Sequence, residues 1–187
     1  EKGYYRQEAK GRSAEIITVG LKGYDYLKNR PVSLYPVNFQ ISDVPTVHEA
    51  ENIMDEITKA YMEGRFDKVV VVYQSFISAG RQEPAIKTLL PVVFGTLEDR
   101  LKENYIYEPD KQSILERLLP HYLCSQMFQA MIETKASEFA ARVMTMTMAT
   151  DNANSMINKL LISYNRWRQT VITNEITEIV NGANAIE

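Results

Sequence analysis

The sequence predicts an α/β protein in which a parallel-sheet domain is followed by one long C-terminal helix. Two observations carry this reading. All seven Pro lie at or before Pro120, and seven of the eight Gly lie at or before Gly95. Because these residues punctuate turns, the first part of the chain is turn-rich and the last part is not. Within the turn-rich part, β-branched runs alternate with a segment of 3.6-residue apolar period, and strand, helix, strand in that order predicts a parallel α/β sheet.

Taken in order, Glu15-Ile-Ile-Thr-Val19 reads as a strand ending at Gly20, and Gly23-Tyr-Asp-Tyr-Leu-Lys28 as a short helix. Val32 to Phe39 is extended in character, and Pro31 and Pro36 place it near a sheet edge, since Pro offers no N–H to a ladder. From Thr46 to Glu63 apolar residues recur at Val47, Ala50, Ile53, Met54, Ile57, Ala60 and Tyr61, a helical period. Thr46 can cap that helix with Glu49 at capping-box spacing, and Gly64 is its predicted stop. Lys68-Val-Val-Val-Val-Tyr73 is a continuous apolar run of the kind found in strands buried on both faces. Gly95 to Gln112 reads as a polar surface connection with one further strand at Tyr105-Ile-Tyr107.

His121 to Asn181 contains neither Gly nor Pro. About 61 residues of helix would run roughly 90 Å, beyond the diameter of a domain of this size. Charges along the stretch, among them Glu133, Lys135, Arg142, Asp151, Lys159 and Arg166, exclude a membrane span. Thr145-Met-Thr-Met148 alternates like a strand, but the breaker-free sequence on both sides assigns it to helix. Leu160, Tyr164, Trp167 and Val171, with Ile157 and Leu161, make an apolar seam suited to a coiled coil. Long polar residues around the whole circumference suit either a shaft surrounded by partners or an ordinary solvated face. The expected domains are 1–112, an α/β body, and 113–187, the long helix.

Composition narrows the function classes. The 187 residues are 45% apolar and 24% charged, too apolar for a disordered chain. A net charge of −3 and a pI near 5.6 argue against a nucleic-acid binder. The single cysteine, Cys124, excludes an intrachain disulfide and reads as a buried, inert thiol. Glu1 opens the sequence, and no signal peptide is visible. Gly20-Leu-Lys-Gly23 sits where a phosphate loop would sit but matches neither dinucleotide nor P-loop spacing, so it reads as a tight strand-to-helix turn. His121 has no companion at ligand spacing, and Ser75 and Ser78 lack a nucleophile elbow. These residues nominate no catalytic group, no metal and no cofactor.

A family resemblance rests on specific residues. Ala136-Ser-Glu-Phe-Ala-Ala-Arg142, then Met146, Ala149-Thr-Asp-Asn-Ala153, Tyr164-Asn-Arg-Trp-Arg-Gln169, Ile172-Thr-Asn-Glu175 and Glu178-Ile-Val-Asn-Gly-Ala183 together resemble the C-terminal signature of the F-type ATP synthase gamma subunit. Val19-Gly-Leu-Lys-Gly23, Leu89-Leu-Pro91, Tyr107-Glu-Pro109 and Ile114-Leu-Glu-Arg-Leu-Leu-Pro120 resemble earlier family segments. Val143, Thr145, Thr147 and Trp167 depart from the pattern. The family's long N-terminal helix and its first strand, with a Leu-Cys-Gly motif, have no counterpart, so the sequence is expected to lack the N-terminal part of its parent.

The resemblance implies a Rossmann-like body that binds no nucleotide, and a C-terminal helix that forms half of an antiparallel coiled coil inside a ring of alpha and beta subunits. It further implies contact with the epsilon (or delta-equivalent) subunit and the membrane rotor ring, without direct membrane insertion. The implied location is peripheral, on the cytoplasmic face of a bacterial plasma membrane or the matrix face of the mitochondrial inner membrane. By position, contacts to the alpha/beta ring carry over to Arg168, Gln169, Thr173, Glu175 and Glu178, and those of a lower grip to Glu138 and Arg142. No catalytic, cofactor-binding or metal residue is carried over. Without an N-terminal helix, the C-terminal helix is expected to pair with another copy, a partner chain or a separately supplied helix. The competing readings are a nucleotide-binding Rossmann protein with an oligomerisation helix and a free-standing coiled-coil adapter.

Overall fold

The computed structural model describes residues 13–92, 108 and 110–184, with the side chain of Lys111 excepted. The strand expected at Tyr105-Ile-Tyr107 lies outside the described residues. The elements in chain order are β1 (Ile16–Val19), α1 (Leu21–Lys28), β2 (Leu34–Phe39), α2 (Val47–Met62), β3 (Val69–Ser78), β4 (Arg81–Leu90) and α3 (Lys111–Asn184). Contacts divide the chain into two units, Glu1–Glu138 and Phe139–Glu187.

In the first unit β1 and β2 pair in parallel with α1 as the crossover, as the strand–helix–strand order predicts. Ile16 lies opposite Leu34 and Val19 opposite Phe39, with an irregularity between Ile16 and Thr18. Thr18 Oγ1 donates to Asn38 Oδ1 at 3.2 Å across the pair. Gly20 has φ 105°, and its N–H donates to the Phe39 carbonyl at 2.7 Å. That amide extends the ladder into the turn, and the positive φ is one that glycine adopts readily.

α2 is the best-specified element. Thr46 Oγ1 accepts from the Glu49 N–H while the Glu49 carboxylate accepts from the Thr46 N–H, the predicted capping box. Ser42 adds its N–H to Glu49 Oε1 at 2.8 Å and its hydroxyl to Oε2 at 3.1 Å. These donors, the backbone N–H groups of Ser42 and Thr46 first, hold the Glu49 carboxyl down at about 2. At the other end Gly64, at φ 74°, lets Arg65 N–H reach the Ala60 carbonyl (3.1 Å) and Gly64 N–H reach that of Tyr61 (3.0 Å). This is a Schellman stop where the sequence placed one.

The run after Gly64 folds differently from its sequence reading. Val69–Ser78 is not a parallel strand buried on both faces; it is the first arm of an antiparallel hairpin with β4. Val72 and Ile86 face each other across the hairpin and are 68% and 73% exposed. A short apolar run does not by itself distinguish a strand covered on two faces from one covered on one, because its partner decides. The turn at Ala79-Gly80 was the available signal for the second arm.

The core of the first unit joins Ala50, Ile53, Met54 and Ile57 of α2 to Leu89 and Leu90 of β4 and to Leu123, Cys124, Met127 and Met131 of α3. Ile17, Val19, Phe39, Val69 and Val71 pack against it from the sheets. α3 begins earlier than Gly and Pro punctuation indicates. Asp110 caps it, accepting from the N–H groups of Gln112 (2.8 Å) and Ser113 (2.9 Å) and from the Ser113 hydroxyl (2.7 Å). Pro120 lies inside the helix. The Asp110 cap and the buried residues from Leu123 onward hold the helix through a residue that lacks an N–H.

The second unit is α3 from Phe139 to Asn184, about 70 Å of helix at ~1.5 Å per residue. Thr145-Met-Thr-Met148 is helical, as the surrounding sequence predicts. Residues 139–184 include none of the buried core.

Candidate partner-binding surface

The seven residues assigned by resemblance all lie on α3 with exposed side chains. Glu138 is in the first unit, where its Oε2 is 3.7 Å from Lys135 Nζ, which also lies 3.6 Å from Asp43 Oδ1. Arg142 is in the second unit and places its guanidinium 5.3 Å from the centre of the Phe139 ring, a cation–π contact.

Arg168, Gln169, Thr173, Glu175 and Glu178 fall on more than one face. At ~100° per residue, Arg168 and Glu175 share a stripe, Gln169 and Thr173 share another roughly a quarter-turn away, and Glu178 lies to the other side. The Arg168 stripe also carries Ile157, Leu161 and Ile179, all exposed. A charged pair set among apolar residues offers a partner both surface to bury and a bidentate hydrogen-bonding group to satisfy. Thr173 Oγ1 is turned inward along the helix, donating to the Gln169 carbonyl at 2.8 Å. Its own carbonyl accepts from Thr177 in the same way, also at 2.8 Å. A partner must therefore compete with that bond to engage the Thr173 hydroxyl as a donor.

Most of the apolar seam read from the sequence is exposed: Ile157, Leu160, Leu161, Tyr164 and Trp167 face solvent, Trp167 at 65%, while Val171 is half-buried. So large a set of exposed apolar side chains on one helix makes this face a candidate interaction surface.

The other groups weighed for chemistry have structural explanations. The Gly20 amide is taken by Phe39. The Ser75 hydroxyl donates to Glu133 Oε2 at 2.9 Å. Cys124 is buried, and its thiol is pushed up first by burial and then by the charges of Glu51 and Asp55. The phenol of Tyr35 is also pushed up, by burial and by the Glu56 carboxylate to which it donates at 3.0 Å. Among the described residues no three of His, Cys, Asp and Glu gather to hold a metal. No described helix is long and apolar enough to cross a membrane.

Sequence reasoning missed one set of polar residues, Gln126, Glu133, Thr134 and Ser137, which engage the β3–β4 hairpin. They became visible only when the hairpin did.

Comparison with known proteins decides the family. Residues 2–186 match the sequence profile of the family described as ATP synthase. The chain is 41% identical over 182 residues to the ATP synthase gamma chain of Moorella thermoacetica, covering 97% of this chain and 64% of that one. The chain belongs to the ATP synthase gamma-chain family. A second gamma chain, from Janthinobacterium sp. (strain Marseille), is 40% identical, with 96% of this chain and 63% of the relative covered. The chain thus spans less than two thirds of the length of these gamma chains. Its fold is similar to a chain in the central stalk and c-ring structure of the Tetrahymena thermophila mitochondrial ATP synthase, with a TM-score of 0.58 at 20% identity over 80% of this chain and 66% of that one. A chain of the Euglena gracilis mitochondrial ATP synthase gives a TM-score of 0.58 at 20% identity, covering 97% and 65%. At this identity the likeness speaks for the fold.

Proposed function

We propose that this chain works as the central-stalk gamma subunit of an F-type ATP synthase, a rotary shaft that performs no bond chemistry itself. Its working parts are a body, 1–112, and a shaft helix, 113–187. The carrying observation is the second unit: a helix most of whose apolar seam is exposed, in a chain matching its family over residues 2–186. The shaft is placed inside a ring of alpha and beta subunits, with the epsilon (or delta-equivalent) subunit and the membrane rotor ring at its lower end. That assembly sits peripherally on the cytoplasmic face of a bacterial plasma membrane, or on the matrix face in a mitochondrion.

The mechanism follows from asymmetry. A shaft with different residues on different faces presents each beta subunit with a different surface, and only differential interaction can shift a conformational equilibrium. Arg168 with Glu175 and Gln169 with Thr173 supply two such surfaces, made and lost as the shaft turns because hydrogen bonds are short-ranged. Ion flow through the rotor ring drives the turning, and the beta subunits carry out the ATP chemistry. The alternative, a nucleotide-binding Rossmann protein with an oligomerisation helix, is less favoured: the turn at Gly20 spends its amide on Phe39, and its spacing fits no phosphate motif.

The test is Gln169→Leu in the assembled complex. Loss of assembly or a several-fold drop in steady-state ATPase turnover is expected; unchanged assembly and rate would remove Gln169 from the contact set. Failure of the unsubstituted chain to co-purify with alpha and beta subunits would remove the rotary reading as a whole.

A further inference from the structure

The hairpin is held to α3 at the edge of β3 that no other described strand covers. Gln74 lies opposite Pro84 in the hairpin. Its N–H donates to Thr134 Oγ1 at 3.3 Å, and its carbonyl accepts from Ser137 Oγ at 3.4 Å. Thr134 passes the interaction into the helix by donating to the Ala130 carbonyl at 2.8 Å. One residue along, the Ser75 hydroxyl donates to Glu133 Oε2, and Glu133 is oriented by Gln129 Nε2, which donates to Oε1 at 2.8 Å. Lys87 of β4 adds a hydrogen bond to Gln126 Oε1. Ser137 is only 3% exposed, so its hydroxyl is committed to this contact.

A backbone N–H and C=O on an open strand edge normally face water or another strand. Here two helix side chains, one donor and one acceptor at i and i+3 on α3, meet the pair that a neighbouring strand would meet. We propose that Thr134 and Ser137 act as a surrogate strand, splicing the open edge of β3 to the first part of α3, and that this splice, with Glu133 and Gln126, makes the body turn with the shaft. The apolar core resists sliding through packing, but its individual dispersion contacts are not directional. Directional bonds at Gln74 and Ser75 fix register along and around the helix. The torque-bearing part of the proposal rests on the rotary reading above; the splice itself does not.

The experiment therefore has two arms. In the first, hydrogen exchange of the full chain is read at the Gln74 amide. Thr134 is exposed, so Thr134→Val removes the acceptor with little cost to folding, and Thr134→Ser restores an oxygen. The proposal expects exchange at Gln74 to rise at least about fivefold in Thr134→Val, the loss of one ordinary hydrogen bond. It expects near-wild-type protection in Thr134→Ser and no change at amides of α2. Equal exchange at Gln74 in all three proteins overturns the splice. In the second arm, the combined Thr134→Val and Ser137→Ala chain is assembled into the ATP synthase, and proton pumping per ATP hydrolysed is measured. A drop of about twofold or more, with hydrolysis retained and Thr134→Ser at the wild-type ratio, supports torque transfer through the splice. An unchanged ratio overturns that role. Failure of the unsubstituted chain to assemble sinks the rotary reading, while the exchange result still decides the splice.

Discussion

Apolar residues at helical spacing occur in both units of the chain and have opposite fates. On α2 they meet β4 and the first part of α3 and form a core in which Ile53 is 1% exposed. On α3 beyond Phe139 the same kind of spacing meets nothing among the described residues, and Leu160 and Trp167 stand in solvent. Periodicity alone says that a face is meant to be covered, and not by what. The first unit is covered by its own chain. The second has the composition of a half-interface, and isolated helices of that kind draw little stability from themselves.

Substitution can break this comparison most directly in paired form. Ile53→Ala is expected to cost about 3 kcal/mol of unfolding free energy, since it deletes a fully buried side chain and leaves a cavity. Leu160→Ala in the isolated chain is expected to cost less than about 0.5 kcal/mol, as befits an exposed site. Urea denaturation of both variants checks the pair, and similar losses would mean that the second unit has a core of its own.

A smaller effect is expected at the edge of the first unit. Thr46→Ala removes the acceptor of the capping box and is expected to cost about 1 kcal/mol in the same assay.

The subtlest expectation concerns pH. The Glu49 carboxyl is held at about 2 in the fold, below an unfolded value of ~4.3. Unfolded chains therefore bind more protons in this range, so stability rises with pH. The contribution is complete above the unfolded value, declines as pH falls below it and is gone by about 2. Asp110, lowered by Ser113 and Gln112, acts in the same direction. Melting temperatures between pH 7 and pH 2 are expected to fall less steeply in Glu49→Gln; parallel curves would remove Glu49 as a contributor.

What could be read in advance differed by element. α2, its cap at Thr46 and its stop at Gly64 were legible because a cap, an apolar period and a glycine are local and agree with one another. The parallel pairing of β1 and β2 followed from their order with a helix between. The hairpin did not, because Val69-Val-Val-Val72 fits either kind of strand and Pro84 argues against a strand that turns out to be an edge. Pro120, a breaker by type, sits inside α3 because the Asp110 cap on one side and the buried residues from Leu123 onward on the other outweigh one lost hydrogen bond. Of the surface candidates, Arg168 with Glu175 and Gln169 with Thr173 could be paired from spacing alone. That Thr173 spends its hydroxyl on the Gln169 carbonyl could not.

The sequence by itself determined the family, the long helix and the seam along it, because these depend on residue order and on a period the backbone imposes. Tertiary structure decided which apolar faces are covered, that β3 turns back on β4, and that Thr134 and Ser137 meet the edge at Gln74. Those outcomes depend on partners distant in the chain, and no local pattern encodes which distant group will arrive.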